Sequence, residues 1–347
     1  MSNECCTVSR PDESSGARLF EDTFRHQMNS DGSMQIQDNL FKGRFGSGPN
    51  EWPVEAGRYR LVWMPACPHA HKVVITRNLL GLDSVISLGA TGLMRDRDGW
   101  VFSDDPGGKD PVLGIHYLKE IYTRTKSDFS ERPTVPIIVD TKTGLGVTND
   151  HFRIPQQLDT EWKPFHKKNA PDLYPQDLRS DIDELDLFIF KRVNNGVYDV
   201  GFARTQAAYE AAYDRLFQAL DYLEKRLSSN RFLFGDFVTD SDVRLYPTLA
   251  RFDVVYNTVF RANRNRIADY HNLWGYARDL YQIPEFRETT CFDKYKIHYQ
   301  TSPHLRALEG IVYGLVAKGP DTSGWNVPAE ERLRLSSHRE QKFRVGV

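Results

Sequence analysis

Apolar and polar positions follow three different patterns along the chain, with changes near residues 57 and 170. Residues 1–56 carry many Ser, Gly, Asn and Asp residues and only isolated aromatic side chains. We predict that this segment is an extended arm that wraps or pairs through its aromatic residues, which are Phe20, Phe24, Phe41 and Phe45.

Between residues 57 and 160, short apolar runs alternate with segments whose apolar residues recur at helical spacing. Pro68 suits the first position of a helix, where its missing N–H costs nothing, and Gly81 suits the position after the helix ends. The predicted strands are 58–64, 85–88, 136–139 and 145–148, and the predicted helices are 68–80, 114–123 and 150–158. This β-α-β-α-β-β-α order predicts a thioredoxin-like α/β domain with helices packed on a mixed sheet.

After about residue 170 the strand signal mostly disappears. Thr239 and Asp242 resemble a capping box at a helix start, with Asp in the place usually taken by Glu. The predicted helices are 178–193, 205–227, 239–260 and 272–281. We therefore predict an all-α bundle over residues 170–317, followed by a loose tail over residues 318–347.

The composition argues against several classes of protein, those that bind nucleic acid and those that span or bind membranes. Forty-five Lys and Arg residues against 47 Asp and Glu residues give a formal charge of −2, which removes the bulk electrostatic argument for nucleic acid or an anionic membrane as partner. No apolar run approaches the roughly 18 residues that a membrane span needs. The first 16 residues are polar and lack the apolar core of a signal peptide. We expect a cytoplasmic protein.

Four scattered cysteines, Cys5, Cys6, Cys67 and Cys291, are too few for a disulfide scaffold. Cys67 stands at the predicted strand-to-helix junction, in the string Cys-Pro-His-Ala. Helix N–H groups and the positive end of the helix dipole favour a thiolate there, and the thiolate is the nucleophile. Because Ala70 stands where a second cysteine would close an internal disulfide, this junction favours a monothiol mechanism.

Other interpretations of this junction stay open. Cys67 could be a small buried residue that fills a turn. His69 and His71 could be local cations that lower the pKa of the thiol, or plain surface histidines. Cys67 and His71 lie four residues apart on one helical face, but two ligands do not make a metal site, and we expect no metal.

A second feature is Thr134-Val135-Pro136, which lies about 70 residues after Cys67 and directly before a predicted strand. In a thioredoxin-like layer this proline is typically cis and lies against the cysteine turn. The backbone N–H and C=O of Val135 are then available to pair with a thiol peptide in the manner of an added strand.

The helical half is dense in tyrosine, and phenols pack in cores, stack on aromatic substrates or donate protons. Spacing alone singles out none of them, and the run of Arg261, Arg264 and Arg266 is most simply a solvated helix end.

The chain resembles the glutathionyl-hydroquinone reductases, the Xi-class branch of the glutathione transferases, over roughly residues 55–320. The strings that carry this resemblance include Gly57-Arg58-Tyr59, Cys67-Pro68, Ala70-His71, Gly99-Trp100, Thr134-Val135-Pro136, Asn194-Asn195-Gly196-Val197-Tyr198, Arg251-Phe252-Asp253, Arg266-Ile267-Ala268-Asp269-Tyr270, Asn272-Leu273-Trp274 and His298-Tyr299. The resemblance implies a glutathione transferase architecture and a homodimer.

It also implies an activity. The Cys67 thiolate would attack the sulfur of a glutathionyl-hydroquinone, the hydroquinone would leave, and a second glutathione would resolve the mixed disulfide. Trp100 and Val135 match positions that hold glutathione, beside Pro136. Tyr198 and Tyr299 match tyrosines beside the hydroquinone.

The chain departs from the family pattern in the glutathione pocket. His69 and Lys72 stand where the family usually has Trp and Arg, and Asp150-His151 stand where it has a Glu-Ser pair for the γ-glutamyl group. Asp150 keeps a carboxylate that is one methylene shorter, and His151 is bulkier than Ser and can be cationic. Three functions therefore stay open: the reductase, the same nucleophile with another low-molecular-weight thiol or as a general deglutathionylase, and a non-catalytic dimeric binding or stress protein.

Overall fold

A computed structural model describes residues 27–96, 98–302, 305 and 315–345. Its six strands are β1 (Tyr59–Trp63), β2 (Ile86–Ala90), β3 (Arg95–Asp96), β4 (Gly99–Trp100), β5 (Ile137–Asp140) and β6 (Leu145–Thr148). Four of them form one sheet in the order β2-β1-β5-β6, in which β1 is parallel to β2 and antiparallel to β5. Every residue of β1 is buried, because this apolar strand lies at the centre of the domain. The predicted mixed sheet is confirmed.

Three helices accompany the sheet: α1 (Pro68–Leu79), α2 (Lys119–Thr125) and α3 (Ile154–Thr160). Helix α2 begins five residues later than predicted. Gly114 adopts a positive φ of 68°, and the Glu120 carboxylate accepts the backbone N–H groups of His116 and Tyr117 ahead of the helix. Helix α3 also begins later than predicted. The short antiparallel pair β3–β4 was not predicted, since two-residue strands leave no periodic signal.

The second half of the chain is helical. Its helices are α4 (Arg179–Ile189), α5 (Gly196–Phe202), α6 (Gln206–Arg226), α7 (Asp240–Arg251), α8 (His271–Tyr281), α9 (Pro284–Arg287), α10 (Phe292–Thr301) and α11 (Glu330–Leu333). The capping box predicted at the start of α7 is confirmed: Asp242 accepts both the backbone N–H and the hydroxyl of Thr239. The single helix predicted over 239–260 is wrong, because a π-helical turn, Phe252–Tyr256, follows α7. Another, Phe190–Asn194, joins α4 to α5.

The described part of the N-terminal arm, residues 27–56, packs along the outer edge of the sheet. The Gly43 N–H donates to the Val147 carbonyl at 3.1 Å. Phe45 is buried, with its ring 5.1 Å from that of Tyr59 and 5.4 Å from that of Trp162. The expectation that aromatic residues anchor the arm is confirmed for Phe45. Phe20, Phe24, Cys5 and Cys6 lie outside the described residues.

The expectation of a loose C-terminal tail over residues 318–347 is wrong for residues 323–345. Trp325 and Arg332 are buried there, with exposed fractions of 4% and 2%. The segment then runs back over the helical half, where the Val238 N–H donates to the Lys342 carbonyl at 2.9 Å. The prediction failed because this segment has many polar residues and only a few buried residues that anchor it. Among the described ranges, no helix is both long and apolar enough to cross a membrane.

Candidate active site

Cys67 is the residue immediately before α1, where the chain turns out of β1. Its φ and ψ of −76° and 118° are extended, and Pro68 begins the helix as predicted. The Cys67 Sγ lies 3.6 Å from the Val135 carbonyl oxygen. The peptide bond between Val135 and Pro136 is cis, as predicted. Two segments far apart in sequence therefore meet at one sulfur atom.

A pocket of about 900 Å³, part of it open to solvent, surrounds this sulfur. Its lining combines apolar side chains with a few polar groups, as in pockets that bind small molecules. Seven of the predicted site residues line it: Cys67, His69, Trp100, Val135, His151, Tyr198 and Tyr299. Pro136 is buried behind Val135, outside the lining.

Two tyrosines from different helices meet in this pocket. The hydroxyls of Tyr198, on α5, and Tyr299, on α10, lie 2.6 Å apart, so one phenol donates to the other. The ring of Tyr256, in the second π-helical turn, stands edge-on to Tyr299 at 5.8 Å. Burial raises the pKa of Tyr198 and of Tyr299 above the ordinary phenol value. Both phenols thus stay protonated and can donate a proton.

The thiol of Cys67 experiences opposing influences. Burial raises its pKa above the ordinary value, while the backbone N–H groups of Ala70 and His69 and the charges of Arg251 and Lys72 act to lower it. Burial outweighs the helix terminus in the ligand-free pocket. The expected stabilisation of the thiolate by the helix N-terminus exists as a contribution, but it does not set the direction of the shift.

The histidines are neither cations nor surface residues. The rings of His69 and His151 stack at 4.3 Å and 28°, and His71 is fully buried. Burial lowers the pKa of all three well below the ordinary value, assisted by positive neighbours such as Lys72 and Arg251. The expectation that His69 and His71 support the thiolate as cations, and that His151 can be cationic, is therefore wrong for this pocket near neutral pH.

Asp150 lies beside the pocket, outside its lining. It accepts a hydrogen bond from Asn39 of the arm at 3.3 Å and lies 3.8 Å from the Arg153 guanidinium. The arm itself completes one wall through Met34, Ile36, Gln37 and Asn39. Gln37 is held by the Arg132 carbonyl at 3.1 Å. Sequence reasoning missed these arm residues, because no motif marks them.

Trp100 forms another wall from β4. The Arg95 guanidinium lies 5.2 Å from the centre of its ring, and the His298 ring lies 5.7 Å away. The His298 Nδ1 is 2.7 Å from the Leu93 carbonyl, so it carries the proton of that neutral ring. Arg95 and His298 line the pocket and were not predicted as site residues. No group of three metal-ligating side chains occurs within the described ranges.

Comparisons with known proteins decide the family. The profile of the glutathione S-transferase C-terminal domain matches residues 206–279. Glutathionyl-hydroquinone reductase YqjG of Escherichia coli is 38% identical over 303 residues, which cover 85% of this chain and 92% of that protein. A Xi-class glutathione transferase from Natrialba magadii superposes with a TM-score of 0.80 at 35% identity, over 90% of this chain and 98% of its own. The chain belongs to the glutathionyl-hydroquinone reductase family.

It is therefore an enzyme of the glutathione transferase superfamily, with the architecture predicted from its sequence. A solved structure of a glutathione transferase from Gordonia bronchialis has 44% sequence identity and a TM-score of 0.80, over 85% of this chain and 92% of that chain. A structure of YqjG with bound glutathione superposes with a TM-score of 0.78.

Proposed function

We propose that this enzyme reduces glutathionyl-hydroquinones with glutathione as co-substrate and Cys67 as nucleophile. The observation that carries the proposal is the meeting of the Cys67 sulfur, the Val135 backbone and the Tyr198–Tyr299 hydroxyl pair in one pocket. A nucleophile and a proton donor are the two groups that cleavage of a thioether to an aromatic ring requires.

The first step exchanges one bond for another. The Cys67 thiolate attacks the thioether sulfur, a disulfide forms between Cys67 and the glutathionyl group, and the carbon–sulfur bond to the ring breaks. The electron pair of that bond passes to the ring, and the leaving hydroquinone takes up one proton, for which Tyr198 and Tyr299 are donors. The high pKa of both phenols keeps them protonated for this step.

The second step regenerates the enzyme. The thiolate of a second glutathione attacks the glutathionyl sulfur of the mixed disulfide, which releases glutathione disulfide and the Cys67 thiolate. Because Ala70 occupies the position of a resolving cysteine, an external thiol performs this step. The sum is one conjugate and one glutathione converted to one hydroquinone and one glutathione disulfide.

The γ-glutamyl end of the pocket favours a second candidate, the same chemistry with another low-molecular-weight thiol or with glutathionylated substrates in general. His69 and His151 stack there at 4.3 Å, and both are neutral. Asp150 is already engaged by Asn39. The stacked neutral rings of His69 and His151 carry no charge that could bind the α-amino and carboxylate groups of a γ-glutamyl moiety. The Ser hydroxyl and free Glu carboxylate of the family pattern would bind these groups better.

The test is turnover of a glutathionyl-hydroquinone, with hydroquinone release followed by chromatography. We expect turnover by the wild type with glutathione, none by Cys67→Ser, and wild-type rates for Cys291→Ser, the other described cysteine. Turnover only when another thiol from a panel replaces glutathione would select the second candidate. No turnover with any thiol, together with an unreactive Cys67, would support a non-catalytic binding protein.

We propose further that the enzyme acts as a homodimer in the cytoplasm, where reduced thiols are abundant. Light scattering during size-exclusion chromatography tests the first part, and a mass of 40.0 kDa in solution would contradict it. Fractionation of the source cells, with immunodetection of the chain, tests the second.

A further inference from the structure

A buried guanidinium lies directly behind the cysteine turn. The side chain of Arg251, the last residue of α7, is fully inaccessible to solvent. Its Nε donates to the Ala66 carbonyl at 2.9 Å, and one Nη donates to the Pro65 carbonyl at 3.1 Å. These carbonyls belong to the two residues before Cys67. The guanidinium of Arg251 therefore links the helical half of the molecule to the turn that carries Cys67.

The remaining partners of Arg251 are also neutral. Its other Nη donates to the Pro247 carbonyl at 2.8 Å and contacts the His71 Nδ1 at 3.1 Å. The Thr289 hydroxyl donates to the Glu285 carbonyl at 2.7 Å, so it accepts from the His71 Nε2 at 2.9 Å. The His71 Nδ1 is then a lone-pair acceptor for the guanidinium, and the Tyr295 ring covers the guanidinium at 3.8 Å.

Arg251 thus differs from Arg231 and Arg244, two buried arginines with carboxylate partners, and resembles Arg332, which is also held by carbonyls. Arg231 pairs with Asp279 at 2.8 Å, and Arg244 pairs with Asp186 at 2.8 Å. Within the described ranges, Arg251 forms no ion pair with a carboxylate. A buried charge without a counter-ion is costly.

We infer that Arg251 is a positioning residue whose charge compensates the thiolate of Cys67 and whose donors fix the turn that presents it. The inference deepens the proposed function, since it rests on Cys67 as nucleophile. The charge of Arg251 does lower the pKa of Cys67, against burial. It also acts to lower the pKa of Tyr299, against burial, which raises it.

Other titratable groups also face these two residues. Those around Cys67, from every element packed against it, are His69, Lys72, Arg95, Arg132, His151, Tyr198, His298 and Tyr299. Those around Arg251 are His71, Tyr246, Tyr256 and Tyr295. The histidines and tyrosines are neutral near pH 7, so they supply no competing anion there. Lys72 loses its proton at a pKa of about 7, so the guanidiniums of Arg95, Arg132 and Arg251 are the positive charges that remain around the turn above that pH.

The test is the pH profile of Cys67 alkylation by iodoacetamide, followed by peptide mass spectrometry. Arg251→Met removes the charge, and we expect its inflection to rise by about one pH unit, which is about tenfold slower alkylation at fixed pH below the inflection. Arg251→Lys keeps the charge but loses the fork of donors, and we expect an inflection near that of the wild type. Arg332→Met is the matched control, because Arg332 is also buried and held by carbonyls, those of Leu227, Asn230 and Arg231.

A purely structural role predicts that the Met and Lys variants behave alike. An unshifted inflection in folded Arg251→Met overturns the inference. If that variant does not fold, Arg251→Gln replaces it, because the amide is neutral and can still donate to one of the carbonyls. Alkylation needs no turnover, so a shifted inflection without hydroquinone release would support Arg251 while contradicting the proposed function.

Discussion

The hydroxyl groups of Tyr198 and Tyr299 are in contact, and each can be removed by a Tyr→Phe substitution. The contribution of each phenol to proton donation can therefore be measured separately. At 2.6 Å, only one of the two protons lies between the oxygens, and the other is available to the pocket. Removing one hydroxyl leaves a phenol that can still reorient toward the substrate. Removing both leaves no tyrosine proton donor of this pair.

We predict that Tyr198→Phe and Tyr299→Phe each lower kcat about tenfold and that the double variant lowers it by about 10²-fold or more. Steady-state kinetics with a glutathionyl-hydroquinone measure this. Tyr222→Phe, on the exposed face of α6, is the control and should keep the wild-type rate. Full activity in the double variant would exclude the pair as proton donor.

Lys72 carries a second residue-scale prediction, this one on stability. Its Nζ has no hydrogen-bond partner among the described residues, and burial lowers its pKa from 10.5 to about 7. A lowered folded-state pKa stabilises the fold above the unfolded value of 10.5, and this stabilisation is lost as the pH falls through about 7. Lys72→Met removes the charge that causes the loss.

The variant should therefore gain roughly 5 kcal/mol of unfolding free energy over the wild type below pH 7, with the gain vanishing towards about pH 10. Urea unfolding across this pH range measures the difference. Exposed Lys225→Met is the control and should show no such trend. A gain that is independent of pH would mean that packing, and not charge, decides the effect.

Short sequence motifs predicted the position of some residues of this site, but they did not predict the protonation states of its histidines. The position of Cys67 before a helix follows from local chemistry, and the cis Val135–Pro136 bond follows from the place of Pro136 before a strand of the predicted thioredoxin-like layer. The neutral state of His69 and His151 does not, because it depends on burial by residues distant in sequence. Those include Phe190, whose ring lies 5.7 Å from that of His151.

At the scale of elements, the site depends on two π-helical turns. The turn Phe190–Asn194 precedes α5, which carries Tyr198, and the turn Phe252–Tyr256 follows Arg251 and carries Tyr256. An extra residue in a helical turn rotates everything after it, and such turns are frequent at functional sites. Periodicity predicted one continuous helix across the second turn, since one inserted residue barely changes an apolar pattern. At the first turn it predicted a helix that ends at residue 193, and α5 was not predicted.

Asn194 fixes the first of these turns to α7. Its Nδ2 donates to the Arg244 carbonyl at 3.1 Å and to the Thr248 hydroxyl at 2.7 Å, and both bonds are buried. Asn194→Ala should cost about 2 kcal/mol of stability and lower the activity by displacing Tyr198. Denaturant unfolding and kinetics on the same preparation measure both effects. Asn326→Ala, at an exposed position, is the control; lost stability with unchanged activity would separate the turn from the site.

At the scale of the whole molecule, both ends of the described chain fold back onto the body. The arm completes the pocket wall, and the C-terminal segment inserts Trp325 among aromatic residues of the helical half. The Trp325 ring lies 5.2 Å from that of Trp274, 5.3 Å from that of Phe292 and 5.6 Å from that of Tyr281. Composition predicted a loose C-terminal tail, because a few buried residues in a polar segment scarcely alter its average composition.

Trp325→Ala should cost about 3–5 kcal/mol, since it removes a large buried side chain and leaves a cavity. Thermal unfolding monitored by circular dichroism measures the loss. Val327→Ala, two residues away and 53% exposed, should leave the midpoint nearly unchanged. Equal midpoints for the two variants would mean that the C-terminal segment adds nothing to the stability of the fold.

The central step of the proposed mechanism is the formation of a disulfide between Cys67 and the glutathionyl group of the substrate. The direct measurement is the intact mass of the enzyme after mixing with a glutathionyl-hydroquinone in the absence of free thiol, with released hydroquinone quantified in the same sample. We predict that the wild type gains one glutathionyl group on Cys67 and releases one hydroquinone per active site. The Cys67→Ser variant should show neither the adduct nor the release. Hydroquinone release without an adduct, or an adduct that maps to another cysteine, would contradict it.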